Sequence, residues 1–459
     1  MILVLVAALL AETYHVSPTG DDARDGRSPA TAWKTVAKVN ATPFKPGDQI
    51  LFARGGEWRE SLLAGSSGEP GKPIVYAAAG SGPKPKFWGS DVVTVGADGT
   101  ARVAVPVAAL LSDHQFQAPG SWTWGNGILK AKPGTYTACV RVDPVHSNGK
   151  NHLVFRDLVA EESADPRDGY GFRVMGSDDV RLEDCEAYRA GRHHFGTINS
   201  TNFVGLRLKC AVAMPAIPGG ATFYVSFSDP SRKGDTHQWI DCSGERFENP
   251  GQRNYQVFYD HGEGLGPILL QNMTSRGGML SIGSSSTAPI TVRGGLIEDA
   301  ALEIFGERVH VDGLTIRGNG GVDNFGSDGL FENLLVAVEP RNGGPTGHGA
   351  ALLMREAARR NRIRYSTIVI DNGPCIKVLG PAAETKILGN ILLTKKAIVE
   401  GDGTMEQNFM TGDPKLNDDF TPKPGSPVLG AGKIEAPAVD HAGRKRPTPA
   451  ALGAFEPRK

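Results

Sequence analysis

The sequence predicts an all-β fold built as a solenoid of stacked parallel coils, and three observations carry that expectation. Glycine makes up 59 of 459 residues, nearly twice the usual roughly 7 %, as suits a chain that turns tightly and often. Short segments with apolar alternation recur through the middle of the chain: LVFRDL at Asp157-Leu158, VRLEDC at Asp184-Cys185, LRLKC at Lys209-Cys210, QWIDC at Asp241-Cys242 and ILLQNM at Asn272-Met273. The series continues with VRGGL at Gly295-Leu296, VDGL at Gly313-Leu314, FENL at Asn333-Leu334, YSTI at Thr367-Ile368 and LGNI at Asn390-Ile391. The steps run from 18 to 34 residues; their mean of about 26 fits the perimeter of one β-helix coil and is shorter than the common helical repeats. Finally, a second alternating strand recurs about a dozen residues upstream of the segments from Asp184 on, such as GFRVM at 171–175 or LEIF at 302–305.

Composition removes other classes. Lys and Arg number 49 against 50 Asp and Glu, a net charge of −1, so no basic field is available to hold a nucleic acid. Five cysteines in so long a chain cannot form a disulfide scaffold. No segment reaches the 18 or so consecutive apolar residues of a membrane span. Phosphate-loop, zinc-hydrolase and nucleophile-elbow motifs are absent.

The elements follow in order. Ile2 to Leu10 is a short apolar run ending at the small residue Ala11, which reads as a secretory signal cleaved near that residue; a buried first strand is the competing reading. Tyr14 to Ser17 reads as a strand, and Pro18 to Pro29 as a loop rich in Gly, Asp, Ser and Pro. Trp33, Val36, Ala37 and Val39 recur at helical spacing, predicting a short helix over Thr31 to Asn40 with Ser28 and Pro29 as its start signals. The turn Pro46-Gly47-Asp48 leads into a strand from Gln49 to Ala53.

That opening order, YHVSPTGDDARDGRSPATAWKTVAKVN followed by KPGDQILFARGGEW, resembles the N-terminal cap of secreted right-handed parallel β-helix proteins: polysaccharide lyases, alginate and chondroitin lyase relatives and some glycoside hydrolases. GDPKLNDDFTPKPGSPVLGAG with VDHAGRKRPTPAALGAFE is similar to the closing segment of the same superfamily. The resemblance covers the two ends only and carries no catalytic residues. It implies a secreted right-handed single-stranded parallel β-helix of about ten or more coils, with a helix in its N-terminal cap and a carbohydrate as partner. The expected organisation is a signal peptide over 1–11, cap and first strands over 12–91, an inserted or first-coil region over 92–150, coils over 151–405 and a closing segment over 406–459.

Register gives finer expectations. Cys185, Cys210 and Cys242 would occupy one place in successive coils, as an interior ladder rather than a metal site, since paired short spacings such as C-x-x-C are absent. Asp157, Asp184, Asp241 and Asn272, one residue earlier, would face the other side of that strand. With Phe172, Phe195, Phe223, Leu280 and Leu302 inward, alternation turns Arg173, His194, Tyr224, Ser281, Glu303, Asp323 and Lys377 outward. The register of 255–259 is not legible.

Longer steps around Cys242 place loops beside that stripe, a preferred position for function. The leading reading is a lyase, or an epimerase, on a uronate-containing polysaccharide. It uses His194 or His261 as base, Tyr224 or Tyr259 as acid/base partner and Arg173 as carboxylate clamp. Asp260 completes the catalytic set, and His193, Tyr224, Arg253, Tyr255 and Glu303 the substrate-binding set. A glycoside hydrolase is the alternative; it needs two carboxylates, for which Asp235, Glu245, Asp260, Glu263 and Glu303 are candidates. A non-catalytic glycan-binding protein is the second alternative. No cofactor is required; YDHGEG could hold Ca²⁺ through Asp260 and Glu263, without the regular ligand spacing of an EF-hand. The expected partner is a polysaccharide or oligosaccharide, with no nucleic acid and no membrane span, and the chain is expected to act as a monomer. GSDDV (176–180), GHG (347–349) and RIR (362–364) imitate a polygalacturonase signature, but lie too many coils apart to converge.

Overall fold

A computed structural model describes residues 11–118, 120–164, 168–213, 221–228, 236–245, 256–262, 266–283, 289–339, 349–380 and 384–458. The apolar run Ile2–Leu10 lies outside these residues. The fold is a parallel β-helix with three long sheets. Sheet A (14 strands) begins with Thr13–Val16, sheet B (12 strands) with Glu57–Trp58 and sheet C (12 strands) with Leu62–Leu63. A coil passes through the sheets in the order C, A, B, as in Tyr170–Met175, Asp178–Glu183 and Glu186–Ala190. The chain divides into two compact units, 1–204 with 213–217, and 205–212 with 218–459.

The repeat detected in the sequence is the corner between sheets A and B. Asp157, Asp184, Asp241, Asn272 and Asn333 adopt φ between 51° and 61° and Gly313 68°; in three coils the bend lies earlier than the repeat implied, at Gly294 rather than Gly295, Tyr365 rather than Thr367 and Gly389 rather than Asn390. This left-handed conformation is tolerated by Asp and Asn and is free for Gly, so the corner selects the D/N/G column. These residues therefore do not face the other side of a strand as alternation implied; they are the bend itself. The cysteine column is corrected with them. Cys185 and Cys242 follow such corner residues, but after Arg207 (φ 54°) that place belongs to Leu208, while Cys210 lies in a strand opposite Gly244. All five cysteines are buried and free.

In the first unit, Thr13–Val16 pairs with Gln49–Ala53. The helix is shorter than its periodicity implied, Val36–Ala41, because Thr35 caps it through the Lys38 N–H, while Ser28 and Pro29 start a separate 3-10 turn, Pro29–Thr31. Residues 90–139 form small antiparallel sheets around Val95, Leu110, Leu129 and Ala138, an insertion between coils. Interior aromatics stack rung on rung, Tyr76 on Phe155 and Phe172 on Phe195, each pair at 5.1 Å.

In the second unit the closing segment runs back over the corners of sheets A and B. Gly453 N–H donates to the Gly389 carbonyl, Ala454 N–H to Thr367 Oγ1 and Thr315 meets His441 at 3.0 Å. Buried Arg446 anchors it, bonding Glu456, the Gly453 and Ala454 carbonyls and Asn333 Oδ1.

Candidate functional site

Sheet C strands do not alternate from their first residue. In most coils two neighbouring residues are buried together: Gly171-Phe172, His194-Phe195, Thr222-Phe223, Val257-Phe258, Ala301-Leu302, Gly321-Val322, Ala351-Leu352 and Cys375-Ile376, the exception being half-buried Met279 before Leu280. The first of each pair turns toward sheet B: a Cβ added to Gly244 would meet the methyls of Val257 and Thr222 at 2.8 and 3.0 Å. Outward alternation begins only after this pair. The same feature is the bulge between Gln256 and Phe258, which explains why that register was not legible.

Once past the pair, the second unit carries a continuous in-register row in which Tyr224, Tyr259, Glu303, Lys377 and Glu400 are partly exposed, whereas Ser281 and Asp323, expected to face outward, are buried, as is Leu353. Tyr224 is in register with Tyr259, and Tyr259 with Ser281; the row continues through Glu303, Asp323, Leu353, Lys377 and Glu400. Successive rungs of such a row lie roughly 4.8 Å apart. The rings of Tyr224 and Tyr259 stack at 6.1 Å and 16°, and His261 lies 6.3 Å from Tyr259. Ser281 accepts from Gln256 Nε2 at 3.2 Å and donates to Glu303 Oε2 at 2.7 Å. Burial, with the neighbouring Asp323 charge, pushes the Glu303 carboxyl above its ordinary value, although the Ser281 hydroxyl and Arg355 pull the other way. Asp323 is held by both arms of Arg355, at 2.7 and 2.6 Å. One step along the strands, Phe305 and Phe325 stack at 4.8 Å, with Arg355 4.9 Å over Phe325. Two aromatic pairs therefore share a face with a protonation-prone carboxyl and a guanidinium-paired one.

The first unit's row is different. His146 is in register with Arg173, and Arg173 with Gly196. Arg173 donates to Asp143 at 3.2 Å and to Asp168 at 2.7 Å, and covers the Tyr170 ring at 4.6 Å. A guanidinium so engaged is already paired with the protein's own carboxylates, which argues against the clamp role expected of it. Burial lifts Asp143 to about 6 and, with Arg173, lowers His146 to about 4. His194, expected on the outer stripe, is fully buried: it is the first of the two neighbouring buried residues of its strand, and its carbonyl would lie 2.7 Å from a Cβ on Gly171. His193 is buried as well, its ring 4.9 Å from Tyr170.

Of the remaining candidates, Asp260 points inward. It is fully buried, accepts the Gly283 N–H at 2.6 Å and is pushed to about 7 by burial. His261 is exposed. Glu245 pairs with Arg276 at 2.6 Å. Arg253, Tyr255, Asp235 and Glu263 lie outside the described residues. The pairing Asp323–Arg355 and the platform Phe305–Phe325 were missed, although both Phe residues and Arg355 simply extend the outward alternation two residues past Glu303, Asp323 and Leu353.

No protein-family profile matches this chain, and no curated protein sequence matches it. Among solved structures it is similar to a complex of XylC with xylose (10 % identity, 96 % of this chain and 98 % of that one, TM-score 0.49). It is also similar to the alginate lyase of Paenibacillus sp. str. FPU-7 (14 %, 86 % and 99 %, TM-score 0.37) and to the A-module of the Azotobacter vinelandii mannuronan C-5 epimerase AlgE6 (12 %, 80 % and 91 %, TM-score 0.40). Likeness at this level does not extend to side chains. Among the described residues no helix is long and apolar enough to cross a membrane.

Proposed function

We propose that the protein is a secreted carbohydrate-active enzyme that cleaves a glycosidic bond of a glycan lying along the outward row of the second unit. One observation carries the reading: a single register row sets stacked Tyr224 and Tyr259 beside Ser281, Glu303 and Asp323. Aromatic faces suit sugar rings, and hydrolysis requires two carboxyl groups in different environments. Glu303, raised by burial and by Asp323, supplies the proton to the leaving oxygen. Asp323 is the second carboxylate, oriented by Arg355. Their position one coil apart, roughly 4.8 Å in backbone spacing, favours the closer separation used by retaining enzymes. The caps' resemblance to exported β-helix proteins supports both the glycan and the secretion.

A β-elimination reading keeps one specific support: exposed His261 beside Tyr259 at 6.3 Å could pair a base with a hydroxyl acid. The two are separated by incubating the protein with neutral glycans, alginate, pectate and glycosaminoglycans. New reducing ends without ultraviolet absorbance of unsaturated uronate are expected; absorbance that vanishes in His261→Ala would establish elimination instead, and silence on every glycan would leave binding alone.

A further inference from the structure

We propose a binding site for a divalent transition-metal ion on sheet A of the second unit, formed by His310, Asp312 and Glu332 and independent of the glycan face. His310 and Asp312 stand two residues apart on the strand His310–Asp312, so they share a face. Asp312 is in direct register with Glu332 on the next strand. One ligand atom from each lies within 4.8 Å of the others, close enough for an ion to draw three donors into one coordination sphere at about 2.0–2.2 Å.

The surroundings are arranged as an outer shell. Glu332 turns Oε1 to His310 Nε2 at 2.8 Å, while its other oxygen accepts from Arg364 Nε at 2.7 Å. Asp312 Oδ1 accepts from Asn333 Nδ2 at 2.9 Å, which leaves Oδ2 for a ligand. Asn333 is fixed in turn: its Nδ2 also donates to the Val439 carbonyl at 3.1 Å, and its Oδ1 accepts from buried Arg446 at 2.9 Å. Each carboxylate thus has one oxygen oriented by a neighbour, and Glu332 turns its other oxygen to the imidazole, the arrangement by which metal sites fix their ligands. Arg364 offsets part of the negative charge, and Arg293, in register with Asp312, is exposed. One imidazole with two carboxylates suits Zn²⁺ or Mn²⁺ better than Ca²⁺, which takes oxygen ligands alone. Solvent completes the shell on the side where His310 is about one-third exposed.

The test is equilibrium dialysis and calorimetry of the full-length, chelator-treated protein with Zn²⁺ and with Mn²⁺. One ion per chain is expected. His310→Ala and Glu332→Gln should each weaken binding by at least 10-fold. Co²⁺ should give a visible d–d spectrum in the parent protein that His310→Ala lacks; His310→Gln serves in its place should the alanine variant not fold. No ion bound, or binding unchanged in both His310 variants, would overturn the site and leave His310–Glu332 a simple ion pair. Because the readout is binding, failure here leaves the glycan reading untouched.

Discussion

The outward rows of the two units use similar residue types to opposite ends. In the first unit every strong charge is spent on a neighbour: Arg173 is gripped by Asp143 and Asp168, and the adjacent histidines are buried. In the second, the aromatic rings stack at a partly open surface; Asp323 is likewise held by Arg355, but among the described residues Glu303 accepts a hydrogen bond from the Ser281 hydroxyl alone. Burial lifts a carboxyl in each row, Asp143 and Glu303; the difference is that Asp143 is bound to Arg173, which stabilises, whereas Glu303 meets a neutral hydroxyl and stays available for proton transfer. Residue type alone therefore does not distinguish a site from a strut; the partners do.

Substitutions can break or sharpen that contrast. The largest effect is expected at Glu303: Glu303→Gln should lower turnover by about 10²- to 10⁴-fold with an unchanged unfolding curve, as for loss of a general acid. Because Glu303 is raised and must be protonated to act, parent activity should fall as pH rises through its shifted value, and a pH–rate profile would show this as the alkaline limb. Arg173→Met should do the reverse, costing roughly 3 kcal/mol of stability by leaving the largely buried Asp143 unpaired, with little from exposed Asp168, and with turnover per folded molecule preserved; urea unfolding alongside assay separates the two.

Asp260 gives a third contrast, inside the coil. Its folded value of about 7 lies above the ordinary 3.8, so the folded state holds the proton more tightly. The linked stability is complete below about pH 3.8 and is lost as pH rises through about 7. Asp260→Asn, which still accepts the Gly283 N–H, should gain roughly 2–4 kcal/mol over the parent at pH 8 and nothing near pH 3.5, at about 1.4 kcal/mol per pH unit. Equal denaturation midpoints at both pH values would refute this. The smallest effect is expected at Tyr224→Ala, where loss of one stacked ring should weaken glycan binding by about 1 kcal/mol, some fivefold, measurable by calorimetry.

Much of the fold was legible in the sequence, because a coil corner that demands positive φ repeats Asp, Asn or Gly, and an interior repeats apolar residues at period two. Tyr224, Ser281, Glu303, Asp323 and Lys377 could be placed in one row on that basis, and they are in one row. What stayed hidden was local departure from the period. The paired inward residues near the start of most sheet C strands reversed His194 and obscured Tyr259. Arg355 and Asp323 are 32 residues apart, so their pairing appears only when coils are stacked, and the same holds for Arg173 with Asp143. The Cys210 register failed because Arg207-Leu208, with no Asp, Asn or Gly, makes that corner.

The central claim is that the second unit's row acts on the substrate while the first unit's row only supports the fold. Its most direct test is the rate of reducing-end release by Glu303→Gln and Arg173→Met, each normalised to folded protein, on the glycan most readily cleaved by the parent. Near-complete loss is expected in the first and near-parent turnover in the second. Retained activity in Glu303→Gln together with loss in folded Arg173→Met would contradict it.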